Sequence, residues 1–308
     1  MVVIMMVKPI LLCVLTMALV GTGALGQACE RTLTITGGGT GLGAGDFEAT
    51  LGKQILTITK VEPIRSSRIL VLVAANSFRL GRQADFERLI DRLGSIDAIP
   101  ANVSLAYGLY AEKMVLSGRF TSDPKELRAS LDELVRQAKT GALGKSTRAN
   151  SLMGQAFEFF QQPRPGDAVI LISYSNGSGG QGAWLKLRFL ESGLRLFVLL
   201  IYNPDLELYN IPGSYLAEGT GGWMMFLGRT GTTKKEEEAS WLGQRNFWLH
   251  SIPTGYLVTV AIPDGTRAKE FSWRVKTKWG VLPYPDLLLC DNTTKDKDRV
   301  ATAVQPRY

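Results

Sequence analysis

Three short runs of consecutive apolar residues, rich in β-branched side chains, dominate the middle of the chain. They occupy residues 69–73, 168–172 and 194–201. Continuous runs of this kind are typical of parallel strands that are buried on both faces. The sequence also predicts a strand over 103–107, with residues 113–116 pairing beside it.

Between these runs the apolar positions recur three and four residues apart, which is the period of an amphipathic helix. One such stripe covers residues 86–93 and ends at Gly94, and Asp123 followed by Pro124 is typical of a helix start. Apolar positions over 127–135 give the buried face of the helix that starts there, and further helices are predicted over 151–160 and 184–191. Strands that alternate with helices predict an α/β fold with a doubly wound, mostly parallel, Rossmann-like sheet.

Both ends of the chain have a different pattern. Residues 32–36 and 54–59 are strand-like, the charged residues 234–238 indicate a helix start, and the segments flanking Asp264-Gly265 are typical of a hairpin. The predicted organisation is a signal peptide over 1–26, an N-terminal β segment over 27–66, an α/β domain over 67–227, a C-terminal helix plus β-hairpin region over 228–290, and a flexible tail over 291–308.

The N-terminus indicates export. An apolar run over 10–20 follows Lys8, and small residues precede Gln27, a pattern typical of a secretory signal. The run is shorter than the roughly 20 residues of a membrane-spanning helix. We therefore expect a secreted or periplasmic protein, with an uncleaved N-terminal anchor as the alternative and no other contact with a membrane.

Composition is that of a globular protein, with 45% hydrophobic and 20% charged residues. The formal net charge is +7, and removal of Lys8 with the signal would leave +6. This excess is modest and spread along the sequence, so it predicts no nucleic-acid partner. Of the three cysteines, Cys29 and Cys290 lie outside the signal; a disulfide between them and two unpaired thiols are both open interpretations.

Two enzyme classes deserve comparison with the sequence. Residues 36–43, a strand-following Thr-Gly-Gly-Gly-Thr-Gly-Leu-Gly loop, fit the cofactor loop of short-chain dehydrogenases, but no Tyr has a Lys four residues later, and glycines interrupt the helix that should follow. A Ser-His-Asp hydrolase would have to use His250, which its aromatic neighbours indicate as a core or interface residue. We expect no catalytic activity and no cofactor.

Tryptophans are concentrated in the last third of the chain. They are Trp223, Trp241, Trp248, Trp273 and Trp279. Packing between the C-terminal helix and the hairpin is the favoured interpretation, and a partner-binding or glycan-binding surface is the alternative.

Several sequence blocks resemble those of the bacterial von Willebrand factor A-related proteins that are common in acidobacteria. The blocks are Leu42-Gly-Ala-Gly-Asp46-Phe47-Glu48, Gly52-Lys53-Gln54, Phe120-Thr121-Ser122-Asp123 and Ala217-Glu218-Gly219-Thr220-Gly221-Gly222. Their order and spacing carry the resemblance over most of the chain after the signal. It implies a von Willebrand factor A-like domain over 67–227.

That resemblance also implies where a divalent cation would sit, at the carboxyl ends of the strands. The family holds it with an Asp-x-Ser-x-Ser turn, a Thr in a later loop and a further Asp. Here Ala74 takes the place of the first Asp and Tyr174 that of the second, while Thr147 retains its ligand type. Shifting the alignment by one residue restores Ser77 and adds no carboxylate.

Neutral oxygens cannot offset the dehydration of Mg²⁺, so we expect no bound metal. The residues that replace the ligands should still converge at the edge of the sheet, as a metal-free recognition face or as a decayed site kept for packing. They are Asn76, Ser77, Phe78, Thr147, Ser173, Tyr174 and Asn176. The sequence therefore predicts a non-catalytic adhesion or scaffold module that binds a protein partner in the cell envelope, with a metal-dependent adhesin and the dehydrogenase as alternatives.

Overall fold

The computed structural model describes residues 29–37, 41–75, 83–140, 143–144, 149–173, 182–201, 212–227, 233–263, 266, 271–275, 284–290 and 300–302. The predicted signal peptide lies outside these residues. Within them the chain forms a mixed α/β structure with two main sheets. No described helix has the length and apolar character needed to cross a membrane.

The helices are α1 (Gln83–Gly94), α2 (Pro124–Lys139), α3 (Ala149–Phe160), α4 (Gly182–Ser192), α5 (Pro212–Gly219) and α6 (Lys234–Asn246). The strands are β1 (Cys29–Ile35), β2 (Phe47–Leu51), β3 (Gln54–Pro63), β4 (Ser67–Ala74), β5 (Val103–Tyr110), β6 (Met114–Leu116), β7 (Ala168–Ser173), β8 (Arg195–Ile201), β9 (Met224–Leu227), β10 (Tyr256–Ile262), β11 (Phe271–Val275), β12 (Leu287–Leu288) and β13 (Val300–Ala301).

The six-stranded sheet has the order β6-β5-β4-β7-β8-β9. Strands β5, β4, β7, β8 and β9 run parallel, and only the short edge strand β6 is antiparallel to its neighbour. The prediction of a mostly parallel sheet is confirmed. Helix α2 begins where the sequence indicated, because the Asp123 carboxylate accepts a hydrogen bond from the Lys125 backbone N–H at 2.8 Å.

Helices cover both faces of this sheet, which explains why the central parts of β4, β7 and β8 are continuously apolar. Along β4, Ile69, Val71 and Val73 belong to a first core, with residues of α1, α2 and α6. Leu70, Leu72 and Ala74 belong to a second core, with residues of α3, α4 and α5. Successive side chains of a strand point to opposite faces, so a strand between two helical layers has no solvent-facing side.

A second sheet joins the two ends of the chain. Its order is β1-β10-β3-β2-β11, and every pairing is antiparallel. The hairpin prediction is wrong: β10 lies between β1 and β3, whereas β11 pairs with β2. The Asp264-Gly265 turn signal is local and does not determine which strands become neighbours. A third core fills the inner face of this sheet and includes Ile35, Phe47 and Val258.

Part of the predicted flexible tail is ordered. Strand β13 pairs with β12, and the Phe271 backbone N–H donates to the Thr302 carbonyl at 2.9 Å. The flexible-tail prediction is therefore wrong for residues 300–302, whose backbone groups complete the edge of the second sheet. Cys29 and Cys290 form a disulfide with a Cα–Cα distance of 5.9 Å, which joins the start of β1 to the end of the segment that contains β12.

Arg195 lies where the two sheets meet and is fully buried. Its guanidinium donates to the Thr36 hydroxyl at 2.7 Å, the Ile252 carbonyl at 3.0 Å and the Gly166 carbonyl at 2.6 Å. Burial lowers the pKa of Arg195 to about 9, and the negative charge of Asp167 opposes that shift. The side chain therefore remains a cation at neutral pH, held by three neutral oxygens.

A buried ion pair lies beside the disulfide-linked segment. Lys186 of α4 forms an ion pair with Asp286, and both side chains are almost fully buried. The Asp286 backbone N–H also donates to the Gly219 carbonyl at 2.9 Å. These contacts fasten the segment 284–290 across the helical layer of the parallel sheet.

Replacing Arg195 with Met should lower the free energy of unfolding by about 3 kcal/mol, because three buried acceptors lose their donor. The measurement is urea denaturation of purified protein. Arg136→Met is the matched control: Arg136 is 77% exposed, so its loss should change stability by less than about 0.5 kcal/mol. Equal losses in the two variants would contradict the role given to Arg195.

Candidate functional site

The strand order defines one place where the parallel sheet can hold a ligand. From β4 the chain continues outward to β5 and β6 on one side, whereas β7, β8 and β9 build the other side. Open α/β sheets bind ligands outside the carboxyl ends of their strands, at the point where the order reverses. Here that point lies between the ends of β4 and β7, which we call the carboxyl edge.

One of the seven residues predicted for this site lies within the described residues. Ser173 ends β7 and is 3% exposed. The others, which are Asn76, Ser77, Phe78, Thr147, Tyr174 and Asn176, lie outside the described residues. Their convergence with Ser173 therefore stays a prediction.

Ala74, the last residue of β4, is fully buried in the second core and lies beside Tyr110 of β5. A carboxylate at position 74 would enter this apolar environment and would need a compensating charge. Ala75 follows it and packs against the first core instead. Alanine at both positions fits the apolar surroundings that the two cores provide.

A buried tyrosine occupies the carboxyl edge next to Ser173. Tyr110 ends β5, and its hydroxyl and that of Ser173 form a hydrogen bond. Burial raises the pKa of Tyr110, and the hydrogen bond from Ser173 opposes this only in part. The pair therefore stays neutral over the physiological pH range and uses the hydroxyl that the sequence assigned to the recognition face.

Sequence reasoning missed Tyr110, because the predicted strand ended at residue 107. Gly108 interrupts the apolar pattern there, yet β5 continues through it. A Cβ at Gly108 would lie 2.6 Å from side-chain atoms of both Leu72 and Leu116, so a larger residue here would have to displace both leucines. The apolar residues after Gly108 were the signal that the strand continues.

One carboxylate follows β5 on the same side of the sheet. Glu112 and Lys113 both donate backbone hydrogen bonds to the Leu143 carbonyl, at 2.9 and 3.0 Å. A Cβ on Gly144 would lie 2.5 Å from Glu112 Oε2, so this carboxylate contacts the segment that leads to Thr147. Within the described residues, no group of three or more His, Cys, Asp or Glu side chains is arranged to hold a metal ion.

The glycine-rich loop leads into a strand rather than a helix. After the loop, Ala44–Asp46 forms a single 3-10 turn and β2 begins at Phe47. A pyrophosphate site of the dehydrogenase type needs a helix N-terminus at this place. In addition, the Thr36 hydroxyl is committed to Arg195, which is a structural contact.

The remaining sequence candidates have structural or surface positions. His250 is exposed in the helical turn Phe247–Ser251, so of the two predicted roles, core or interface residue, the core role is wrong and the interface role stays a prediction. Trp241 and Trp248 are buried in the first core, with ring centroids 5.3 Å apart in an edge-to-face arrangement. They pack against the parallel sheet and not between a helix and a hairpin. The side chain of Trp273 and all of Trp279 lie outside the described residues.

No family model and no curated protein matches the chain. Among solved structures, it is similar to BatB from Bacteroides thetaiotaomicron, with 15% identity and a TM-score of 0.43, over 59% of this chain and 98% of that chain. It is similar to a von Willebrand factor type A protein from Catenulispora acidiphila, with 13% identity and a TM-score of 0.41, over 70% of this chain and 50% of that chain. It is also similar to the ArnB paralog VWA2 from Sulfolobus acidocaldarius, with 11% identity and a TM-score of 0.41, over 90% of this chain and 76% of that chain.

Because these TM-scores are below 0.5, the fold assignment rests on the strand order and helix placement of the chain itself.

Removing either hydroxyl of the buried pair should destabilise the protein. Tyr110→Phe and Ser173→Ala should each cost about 1–3 kcal/mol, because each leaves its partner without a hydrogen bond. The double variant should cost less than the sum, as measured by urea denaturation in a double-mutant cycle. Tyr107→Phe provides the control, since its hydroxyl bonds to the Leu93 carbonyl; its loss should add to that of Ser173→Ala. Additive losses in the Tyr110–Ser173 cycle would refute the coupling.

Proposed function

We propose that this chain is an exported, non-catalytic binding module with a von Willebrand factor A-like domain, which holds a protein partner at the carboxyl edge without a metal ion. The observation that carries the proposal is the end of the central strands. Ala74 and the neutral Tyr110–Ser173 pair occupy the place where a cation would need negative oxygens. What remains is a recognition face of neutral side chains.

The strand order and the sequence blocks support the von Willebrand factor A-like assignment. The mostly parallel sheet with helices on both faces agrees with the domain that the resemblance implies. The sequence blocks also have specific local roles. Asp123 caps α2, and Asp46 accepts the Gly43 backbone N–H at 2.8 Å before β2. Gly221 has a φ of +81°, and a Cβ on Gly222 would lie 1.9 Å from the Leu196 carbonyl oxygen, so both positions require glycine.

Export and the absence of catalysis belong to the same proposal. The disulfide between Cys29 and Cys290 supports an oxidising compartment, in agreement with the N-terminal signal pattern. The single histidine of the chain is exposed in a turn that follows α6, at a distance in sequence from the strands that end at the carboxyl edge. A recognition role in the cell envelope needs neither a cofactor nor a nucleophile.

A metal-dependent adhesin is the second candidate, and Glu112 is the observation that favours it. Its carboxylate lies against the segment that leads to Thr147, which is the ligand type retained from the family pattern. Should that loop bring Thr147 and Glu112 together, one negative oxygen would be available to a hard cation. A measurement with Mg²⁺ separates the two candidates.

Adding about 5 mM MgCl₂ should leave the thermal midpoint unchanged relative to EDTA, because a ligand that does not bind the native state cannot stabilise it. An ion present at about 100 times its Kd would add about 2.7 kcal/mol and raise the midpoint by several degrees. The readout is differential scanning calorimetry. A rise in the wild type that disappears in Glu112→Gln would replace the metal-free proposal with the adhesin.

Immobilised protein should capture the same partner reproducibly from envelope extracts of its source organism. Phe78→Asp and Tyr174→Asp should each abolish capture, because they introduce charge into the proposed recognition face. Leu242→Asp is the control: Leu242 is 39% exposed on α6 and is not one of the residues of the proposed recognition face. Capture that survives both edge variants, or that only Leu242→Asp abolishes, would show that the edge is not the binding surface.

A further inference from the structure

A second concave surface lies between α3 and α4, on the helical layer of the second core. Its cavity volume is about 350 Å³, and it is open to solvent. Ligand clefts commonly measure about 300–1,000 Å³. Its lining combines one aromatic side chain with charged and amide groups, namely Phe157, Glu158, Gln161, Arg188 and Glu191.

Two aromatic rings hold the guanidinium of Arg188 in place. Its Cζ atom lies 4.6 Å from the ring centroid of Phe157 on α3 and 5.2 Å from that of Trp184 on α4. Contacts of this kind restrict a long side chain without using its hydrogen-bond donors. Arg188 therefore presents a preorganised set of N–H groups at the wall of the cleft.

Trp184 extends this surface along α4. It lies one helical turn before Arg188 and is 50% exposed. Residues 184, 188 and 191 share one side of the helix, and the rise of about 1.5 Å per residue spreads them over about 10 Å. Arg188 lines the cleft and contacts the indole of Trp184, so the exposed ring lies beside the cleft.

The rim of the cleft contains an unusual backbone conformation. Gln161 follows α3 with a φ of +57° and is the one non-glycine residue with a positive φ within the described part of the chain. This left-handed conformation costs free energy for a residue with a Cβ. It places an exposed amide, which both donates and accepts hydrogen bonds, beside the carboxylate of Glu158.

We propose that this cleft binds a short neutral oligosaccharide. Planar carboxylate, amide and guanidinium groups form paired hydrogen bonds with adjacent hydroxyls, and an exposed indole packs against the apolar face of a sugar ring. This activity goes beyond the proposed capture of a protein at the carboxyl edge. The two can be tested separately, because they use different residues.

Other ligand classes fit the cleft less well. Two carboxylates against one guanidinium give it a formal charge of −1, which disfavours phosphate and sulfate groups. Its walls are helices, whose backbone groups are already paired, so a peptide cannot add to them as a strand. The guanidinium of Arg188 already lies over the rings of both Phe157 and Trp184, so an organic cation at these rings would meet a like charge.

Saturation-transfer NMR with chitotriose, cellotriose and maltotriose tests the proposal. At least one of the three should bind the full-length protein, with a Kd on the order of 1 mM. Trp184→Ala and Arg188→Met should each weaken that binding about tenfold or more, which corresponds to the loss of one good contact. Leu242→Ala, a similarly exposed apolar residue on α6, should leave the Kd unchanged.

Three results would overturn the oligosaccharide site: no binding of any of the trisaccharides at about 20 mM, binding that Trp184→Ala leaves unchanged, or binding of inorganic phosphate or tetralysine that Trp184→Ala abolishes. Trp184 is half-exposed, so its replacement should keep the thermal midpoint of the wild type. That variant remains decisive even if Arg188→Met loses stability.

Discussion

The interface between the two sheets depends on the hydrogen bonds that the buried guanidinium of Arg195 donates. Its three acceptors come from separate parts of the chain: Thr36 follows β1, Gly166 precedes β7 and Ile252 precedes β10. A buried cation without these oxygens would cost several kcal/mol. The guanidinium therefore obtains these three acceptors only when all three segments are in place.

This constraint matters because the antiparallel sheet is assembled from both ends of the sequence. Strands β1 and β3 enclose β10, so the whole parallel sheet is inserted between the N-terminal and C-terminal strands. Beside Arg195, the buried Asp167 carboxylate accepts hydrogen bonds from the Arg68 side chain and from the backbone N–H groups of Arg68 and Arg164. Charges at the amino ends of the parallel strands thus hold the two halves together.

The sequence predicted those elements whose environment is uniform along their length. Strands β4, β7 and β8 are buried on both faces, and α1 and α2 have one apolar side, so periodicity alone identified them. Periodicity could not predict that β10 pairs with β1 and β3. The apolar pattern of an antiparallel strand shows which of its faces is buried, but it does not show which strand lies next to it. The turn signal at Asp264-Gly265 misled for the same reason.

The candidate site was predictable to a similar degree. The sequence shows directly that Ala74 carries no carboxylate and that Ser173 carries a hydroxyl. The hydrogen bond from Ser173 to Tyr110 was not predictable, because it depends on the side-by-side placement of β5 and β7 around β4. The cleft beside Arg188 was not predictable from the sequence either, since its residues come from two helices that are distant in sequence.

The electrostatics of the carboxyl edge reinforce the case against a bound cation. Helices α1, α4 and α5 follow β4, β7 and β8, so their N-termini are directed to this edge. Each helix N-terminus carries a partial positive charge of about half an elementary charge. A cation here would meet that field as well as the neutral Tyr110–Ser173 pair, whereas the Glu112 carboxylate beside this edge opposes that field. A partner that presents neutral or acidic side chains to this edge meets no such penalty.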